Sequence, residues 1–413
     1  MPAVIIINIK LLVNTREENK LLRGKELANL PSLENAYLVI EDGIIAEYGS
    51  MDMLGQQDSE NTIDASGQVV LPAWCDSHTH LVFAASREEE FVDKIKGLSY
   101  AEIAAKGGGI LNSARKLNET SDSELLRMAM VRLNEVMQSG TGAIEIKSGY
   151  GLSVDGELKM LRIIKKLKEI SPIPVKATFL GAHTYPPEYK ENHQAYIDLI
   201  INEMLPVIAK EKLADYIDVF CETGFFSAEE TETICKAGMG YGLRPKIHAN
   251  QLNLSGGVET GVKLGALSVD HLETMDEKTI NTLANSETIG TLLPTAAFFL
   301  RMPFQPARQL IDAGCGIALA SDYNPGSSPS GNMNLVVAMS CIQMKMLPEE
   351  AINAATINGA YAMEVENELG SITAGKKANL IFTRPIHSLA YLPYAFGSNL
   401  IDKVMIEGEF IFS

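Results

Sequence analysis

The feature that most restricts the fold is an alternation of short apolar runs with helical patterns between residues 69 and 374. β-branched or apolar runs occur at 143–146, 175–180, 217–220, 245–247, 267–269, 288–293 and 316–320, and the run ending at Asp76 makes eight. Between them lie helix signals. Residues 121–139 place Leu125, Met128, Val131, Leu133 and Val136 at helical spacing and stop at Gly140. Ser227-Ala228-Glu229-Glu230 has the form of a capping box that opens a helix through Cys235. A further helix, 348–359, starts with Pro348 and two glutamates, as suits a helix N-terminus. Eight strands alternating with helices predict an α/β chain built on a (β/α)8 TIM-like barrel. A doubly wound open sheet shares the alternation, but no G-x-G-x-x-G follows a strand here.

Both ends of the chain have a different texture. Residues 1–68 and 375–413 hold β-rich runs with Asp42-Gly43 and Glu407-Gly408 as turns. They predict one small β-sandwich domain made from both termini, flanking a barrel over residues 69–374. The N-terminal apolar run has no basic leader and is read as a strand. No apolar run approaches the ~18 residues of a membrane span. The formal charge of −17 argues against nucleic acid and anionic membranes as partners. It also means that an anionic substrate needs a local cation. Five cysteines without a C-x-x-C pair suit free thiols in a reducing cytoplasm.

The histidines carry the chemistry. His78 and His80 follow the first barrel run, and residues i and i+2 of a strand face one side. His183 follows the third run, His248 the fifth, His271 the sixth, and the eighth ends in Ser321-Asp322. The C-terminal strand ends form the active face of such barrels. A single histidine there is commonly a hydrogen-bonded structural residue, and H-x-H alone is a weak motif. Six metal-binding side chains at five strand ends together predict a shared metal site. Nitrogen and oxygen ligands suit Zn2+ without excluding Fe. Such an ion lowers the pKa of a bound water to about 7 and polarises a carbonyl. His193 and His387 are read as surface residues. Tyr100 and Gly107–Gly109 are lid candidates, and residues 324–331 an active-site loop.

His78-Thr79-His80, His248, His271, Ser321-Asp322 and the segment 370–380 resemble the amidohydrolase superfamily of metal-dependent hydrolases. Further runs at 77–84, 87–91, 147–152, 179–183, 218–222 and 321–327 are most similar to its cyclic-amide hydrolases of histidine breakdown. The resemblance implies hydrolysis of 4-imidazolone-5-propanoate to N-formimidoyl-L-glutamate by metal-bound hydroxide. It implies His78, His80, His248 and Asp322 as ligands of one Zn2+ or Fe3+ per subunit, and it is compatible with a homodimer. Arg87, Tyr150, His183 and Ser327 are then expected to hold the substrate, and Asn324 and Gly326 to touch the product. Arg87 also fits on chemistry, because a planar guanidinium binds a carboxylate through two hydrogen bonds.

One departure bears on mechanism. Where a carboxylate is expected three residues after His248 stands Gln251, which cannot act as a base. Gln251 is therefore assigned to orienting the ring, Asp322 to taking the proton of water, and His271 to polarising the carbonyl. The same glutamine weakens the rival reading, a deaminase acting on a small N-heterocycle. Binuclear members of the superfamily that the chain resembles carry a bridging lysine at the end of the fourth strand; here that run ends Phe220-Cys221-Glu222, so the resemblance implies one metal rather than two.

Overall fold

The computed structural model describes residues 3–55, 61–98, 102 and 106–411. Tyr100, one of the two lid candidates, lies outside these residues. The terminal sheet contains β1 (Val4–Val13), β2 (Ser32–Glu41), β3 (Ile44–Ser50), β4 (Thr62–Asp64) and β5 (Val69–Pro72). Three further strands near the C-terminus belong to the same sheet. The barrel strands are β6 (Trp74–Asp76), β7 (Thr141–Lys147), β8 (Val175–Ala182), β9 (Tyr216–Cys221), β10 (Arg244–Ala249), β11 (Ser268–His271), β12 (Ile289–Leu292) and β13 (Ile317–Leu319). The terminal sheet is completed by β14 (Leu380–Thr383), β15 (Ile401–Ile406) and β16 (Glu409–Ile411).

The terminal sheet runs in the order β16-β15-β14-β5-β1-β2-β3, with β4 beside β1. Its two hairpin turns, Asp42-Gly43 and Glu407-Gly408, have positive φ at both residues, the backbone twist that two-residue hairpins favour. The sheet curls until these turns meet. A Cβ on Gly43 would stand 2.6 Å from the Glu407 carbonyl oxygen, so the approach requires glycine. Ile6, Ile9, Leu38, Ile40, Leu380, Phe382 and Met405 form a separate apolar core inside the curl.

The barrel is a parallel sheet in the order β6 to β13. It closes through the segments that follow β6 and β13. Thr79 bridges Tyr323, the Asp322 N–H donates to the His78 carbonyl at 3.0 Å, and the His80 N–H donates to the Tyr323 carbonyl at 2.9 Å. Helices pack outside; the predicted capping box of Ser227 with Glu230 forms, and Ser121 caps its helix by accepting from the Glu124 N–H.

Two expectations change. The apolar run leading to His78 is two strands rather than one. Val69–Pro72 pairs with β1 and β14, and after Ala73 the chain enters the barrel as Trp74–Asp76. The helix over 348–359 breaks at Thr356 into Pro348–Ala355 and Ile357–Tyr361. There Asn358 donates to the carbonyls of Leu22 and Ile317, and Gly359 lies against the Cys75 carbonyl, where a Cβ would come within 2.4 Å. These contacts set the second turn at a new angle.

Candidate active site and metal centre

The barrel closure itself carries the centre of the site. His78 and His80 lie on one closing segment and Asp322 on the other. His78 Nε2 is 3.5 Å and His80 Nε2 3.7 Å from Asp322 Oδ1. His248, from the end of β10, places its ring 4.5 Å from that of His78, and His271, ending β11, lies 5.1 Å from His248. His183, just after β8, is stacked on His80 at 5.4 Å. The five strand-end histidines and Asp322 thus converge as the spacing predicts. His271 and Asp322 both hold positive φ, +87° and +53°, a strained state for non-glycine residues that functional sites often retain.

The imidazoles are held with one nitrogen turned inward. His78 Nδ1 donates to Asp270 Oδ2 at 2.6 Å, His248 Nδ1 donates to Asp218 Oδ2 at 2.9 Å, and His80 Nδ1 faces the Ser148 carbonyl at 3.3 Å. Each leaves Nε2 as a lone-pair donor to the site. His78 Nε2 is buried with no hydrogen-bond partner. Burial, then the charge of Lys147 on His78 and neighbouring imidazoles on His80 and His248, holds all three well below the usual imidazole range. They are neutral, the form a metal needs. Two groups, His78/His80/Asp322 and His78/His248/His271, bring one ligand atom each to within 4.8 Å of one another. These donors fit a metal ion.

Beneath the histidines the barrel is filled with charge. Lys147 donates to Glu145 at 2.7 Å and to Asp218 at 2.8 Å, and lies 3.4 Å from Asp270. Lys246 pairs with Glu145 and donates to the Ser77 carbonyl. Burial opposes the Lys147 charge, but Asp218, Glu145 and Asp270 outweigh it and raise its pKa. The same Asp218 and Asp270 fix His248 and His78. Carboxylate support of this kind sets both the tautomer and the basicity of a metal-binding imidazole.

Around this centre stand the groups expected to meet substrate. Tyr150 is buried, with its ring 5.8 Å from His80 and 5.5 Å from His183. The Arg87 guanidinium lies 5.9 Å from the Tyr150 ring, its Nε donates to Ser113 Oγ at 2.9 Å, and its buried Nη2 has no partner among the described residues. Gly326 faces that guanidinium so closely that a Cβ would stand 2.7 Å from Nη1. Asn324 shapes the following loop, accepting from the Gly326 and Ser327 N–H groups at 2.8 Å, while Ser327 Oγ donates to Asp322 Oδ2 at 3.1 Å. Gln251 is buried in the loop after β10, whose Leu252 N–H is held by Glu222 at 2.8 Å. The lid candidate Gly107–Gly109 lies beside Arg87, and the Gly109 N–H donates to Glu90 at 2.9 Å. His193 is stacked on Tyr185 and His387 is exposed, both away from the cluster.

Comparison with known proteins agrees with this geometry. The profile of the Amidohydrolase family matches residues 69–411. Imidazolonepropionase of Flavobacterium johnsoniae is 60% identical over 408 residues, 98% of this chain and 99% of that protein. Its counterpart in Flavobacterium psychrophilum is 58% identical over the same share of this chain and 99% of its own. The chain belongs to the imidazolonepropionases of the amidohydrolase family. Among solved structures, 5-methylcytosine deaminase from Klebsiella pneumoniae superposes with a TM-score of 0.75, covering 99% of this chain and 97% of that one. At 16% identity that likeness shows the fold alone.

A carboxylate that the sequence pattern does not single out stands beside His271. Glu273 Oε1 lies 3.4 Å from His271 Nδ1 and accepts from Gln305 Nε2 at 3.0 Å. Burial lowers the His271 pKa, but the charge and hydrogen bond of Glu273, with Asp322 and Asp270, outweigh it and leave it raised. Burial pushes Asp322 up to about 6, against the opposing charge of His271 and bonds from Ser327 and Asn324. The overlooked charged layer leaves one signal in the sequence. Glu145/Lys147, Lys246/His248 and Ser268/Asp270 are polar pairs two residues apart inside apolar strands, the spacing of one strand face. Gln305 leaves none.

Proposed function

We propose that the chain hydrolyses 4-imidazolone-5-propanoate to N-formimidoyl-L-glutamate in histidine degradation, with the residues in the following roles. The observation that carries the reading is the buried, unpartnered Nη2 of Arg87, one aromatic ring away from the histidine cluster. A guanidinium there selects a substrate with a carboxylate, and the relatives, as imidazolonepropionases, are named for a propionate on an imidazolone ring. Tyr150, His183 and Ser327 complete the substrate contacts, Asn324 and Gly326 meet the product, and Gln251 orients the ring by hydrogen bonds.

His78, His80, His248 and Asp322 are the proposed ligands of one Zn2+ or Fe3+ per subunit. When bound, such an ion supplies Lewis acidity for the attacking water and the carbonyl. Asp322 accepts a proton from that water as its oxygen adds to the ring carbonyl carbon. His271, whose pKa the neighbouring Glu273 raises, donates a hydrogen bond to the oxygen that becomes negative. The ring C–N bond then breaks, and the departing nitrogen takes the proton held on Asp322. The composite terminal sheet (1–68 with 375–413) and the barrel (69–374) are the proposed domains, although β5, at the start of the second range, pairs within the terminal sheet. A homodimer and a cytoplasmic setting complete the proposal, the latter supported by five unpaired cysteines.

Purified protein should remove the absorbance of imidazolonepropionate, lose that activity on chelation, and regain it with Zn2+ or Fe3+. Turnover that persists after complete metal removal would sink the metal-dependent reading.

A further inference from the structure

The loop 148–152, which carries Tyr150 from β7 to the helix Val154–Ile170, is wrapped around one buried carboxylate. Glu157, on that helix, is 0% exposed. Its Oε2 accepts from the Gly149 N–H at 3.0 Å, and its Oε1 accepts from the Gly151 and Leu152 N–H groups at 2.7 and 3.1 Å. Gly149 and Leu152 hold φ of +110° and +48°, which turns these amides inward. Gly151 packs so tightly on the helix that a Cβ would stand 2.2 Å from Gly156 C. Successive N–H groups folded around an anion form a backbone nest, and hydrogen bonds to a charged acceptor are the strong ones.

The other side of the same loop faces the site. The Gly149 carbonyl accepts from His183 Nδ1 at 2.9 Å, the Ser148 carbonyl faces His80 Nδ1 at 3.3 Å, and the Tyr150 ring lies against both histidines. The hydrogen bonds of Glu157 go to the loop, to its backbone N–H groups and the Ser148 side chain, while the loop's carbonyls and Tyr150 meet the site. We propose that Glu157 is a positioning residue for substrate binding, holding Tyr150 and His183 at the geometry that receives the imidazolone. This rests on the reading above that Tyr150 and His183 bind substrate. A neutral amide in place of the carboxylate turns its NH2 toward inward-facing N–H donors and leaves at least one of them unmet.

The test is a double-mutant cycle on the metal-loaded enzyme, with KM, kcat, metal content and melting temperature measured for each variant. Glu157→Gln is expected to raise KM about tenfold, the scale of one lost bond to a charged group, with kcat within about threefold and metal content unchanged. Tyr150→Phe should also raise KM, and the double variant should be no worse than the worse single one, because both act through one contact. Glu157→Asp, which keeps the charge, should recover part of the KM and stands in for Glu157→Gln if that variant does not fold. If Tyr150→Phe raises KM and Glu157→Gln does not, the inference is overturned while the substrate reading stands. If the Glu157→Gln effect multiplies both with that of Tyr150→Phe and with that of His183→Asn, Glu157 acts through neither residue and the inference is likewise overturned. If neither Tyr150→Phe nor His183→Asn changes KM, the substrate reading itself fails and takes the inference with it.

Discussion

The terminal sheet and the barrel interior are equally buried and oppositely built. Inside the curled sheet the core consists of Ile, Leu, Val, Ala, Phe and Met side chains. Inside the barrel, below the histidines, Glu145, Lys147, Asp218, Lys246 and Asp270 are all 1% exposed or less. Apolar burial stabilises at roughly 25 cal/mol per Å2, whereas each buried ion carries a desolvation cost of several kcal/mol that its partners only offset. A barrel of this class usually fills its interior with layers of branched apolar residues. Here the chain forgoes that gain, and what the charged layer supplies is control: two carboxylates fix the tautomers of His78 and His248, and Lys147 keeps both of those carboxylates in place. One region maximises stability, and the other uses burial to prepare neutral ligands.

The sharpest test of that contrast lies at the top of the charged region. Asp322→Asn removes the proposed proton acceptor and should lower kcat by about a thousandfold with the metal still present. Near-normal kcat in a metal-loaded Asp322→Asn protein would reassign the base.

Next in size is a matched pair of substitutions, one in each region. Lys147→Met leaves Glu145, Asp218 and Asp270 with one fewer cation and should cost about 3 to 5 kcal/mol of stability. Phe382→Ala opens a cavity in the terminal core and should cost a similar amount, about 3 to 5 kcal/mol. Denaturant melts would then look alike, and activity would not. Below its melting temperature the Phe382→Ala protein should keep its metal and its kcat, while Lys147→Met should lose both as His78 and His248 lose their orientation. Equal activity losses in the two variants would erase the distinction drawn between the regions.

The smallest expected effect is a pH slope. Burial holds His183 down to about 4, against an ordinary value of 6.5. Above 6.5 the folded and unfolded forms are both neutral and stability is full. As pH falls from 6.5 toward 4, the unfolded chain takes a proton that the folded one refuses, so stability declines. His183→Gln should flatten the melting temperature of metal-free protein against pH in that window. The apolar members of the terminal core contribute nothing to this slope, and an unchanged slope would show that His183 titrates alike in both states.

Much of the site was legible because it lies where strands end. His78, His80, His183, His248, His271 and Asp322 each follow an apolar run, and a barrel brings such ends to one face. Gln251 announced itself as the missing carboxylate. The split of the first run at Ala73 was not legible, because the run from Val69 to Cys75 is apolar throughout and only the partners of its two parts, β14 and β7, distinguish them. The break at Thr356 was hidden for a similar reason, since it answers to contacts with residues as distant as Leu22 and Cys75.

The sequence by itself determined the alternation that makes a barrel, the sheet built from both termini, and which residues stand at the mouth. Periodicity and strand ends are local properties, so local reading finds them. Only the tertiary structure decided which carboxylate serves which imidazole. Asp270 meets His78 across 192 positions of chain, Glu273 and Gln305 meet beside His271 across 32, and Lys147 reaches Asp218 across 71. Those pairings follow from barrel closure and strand register, which no single stretch of sequence contains.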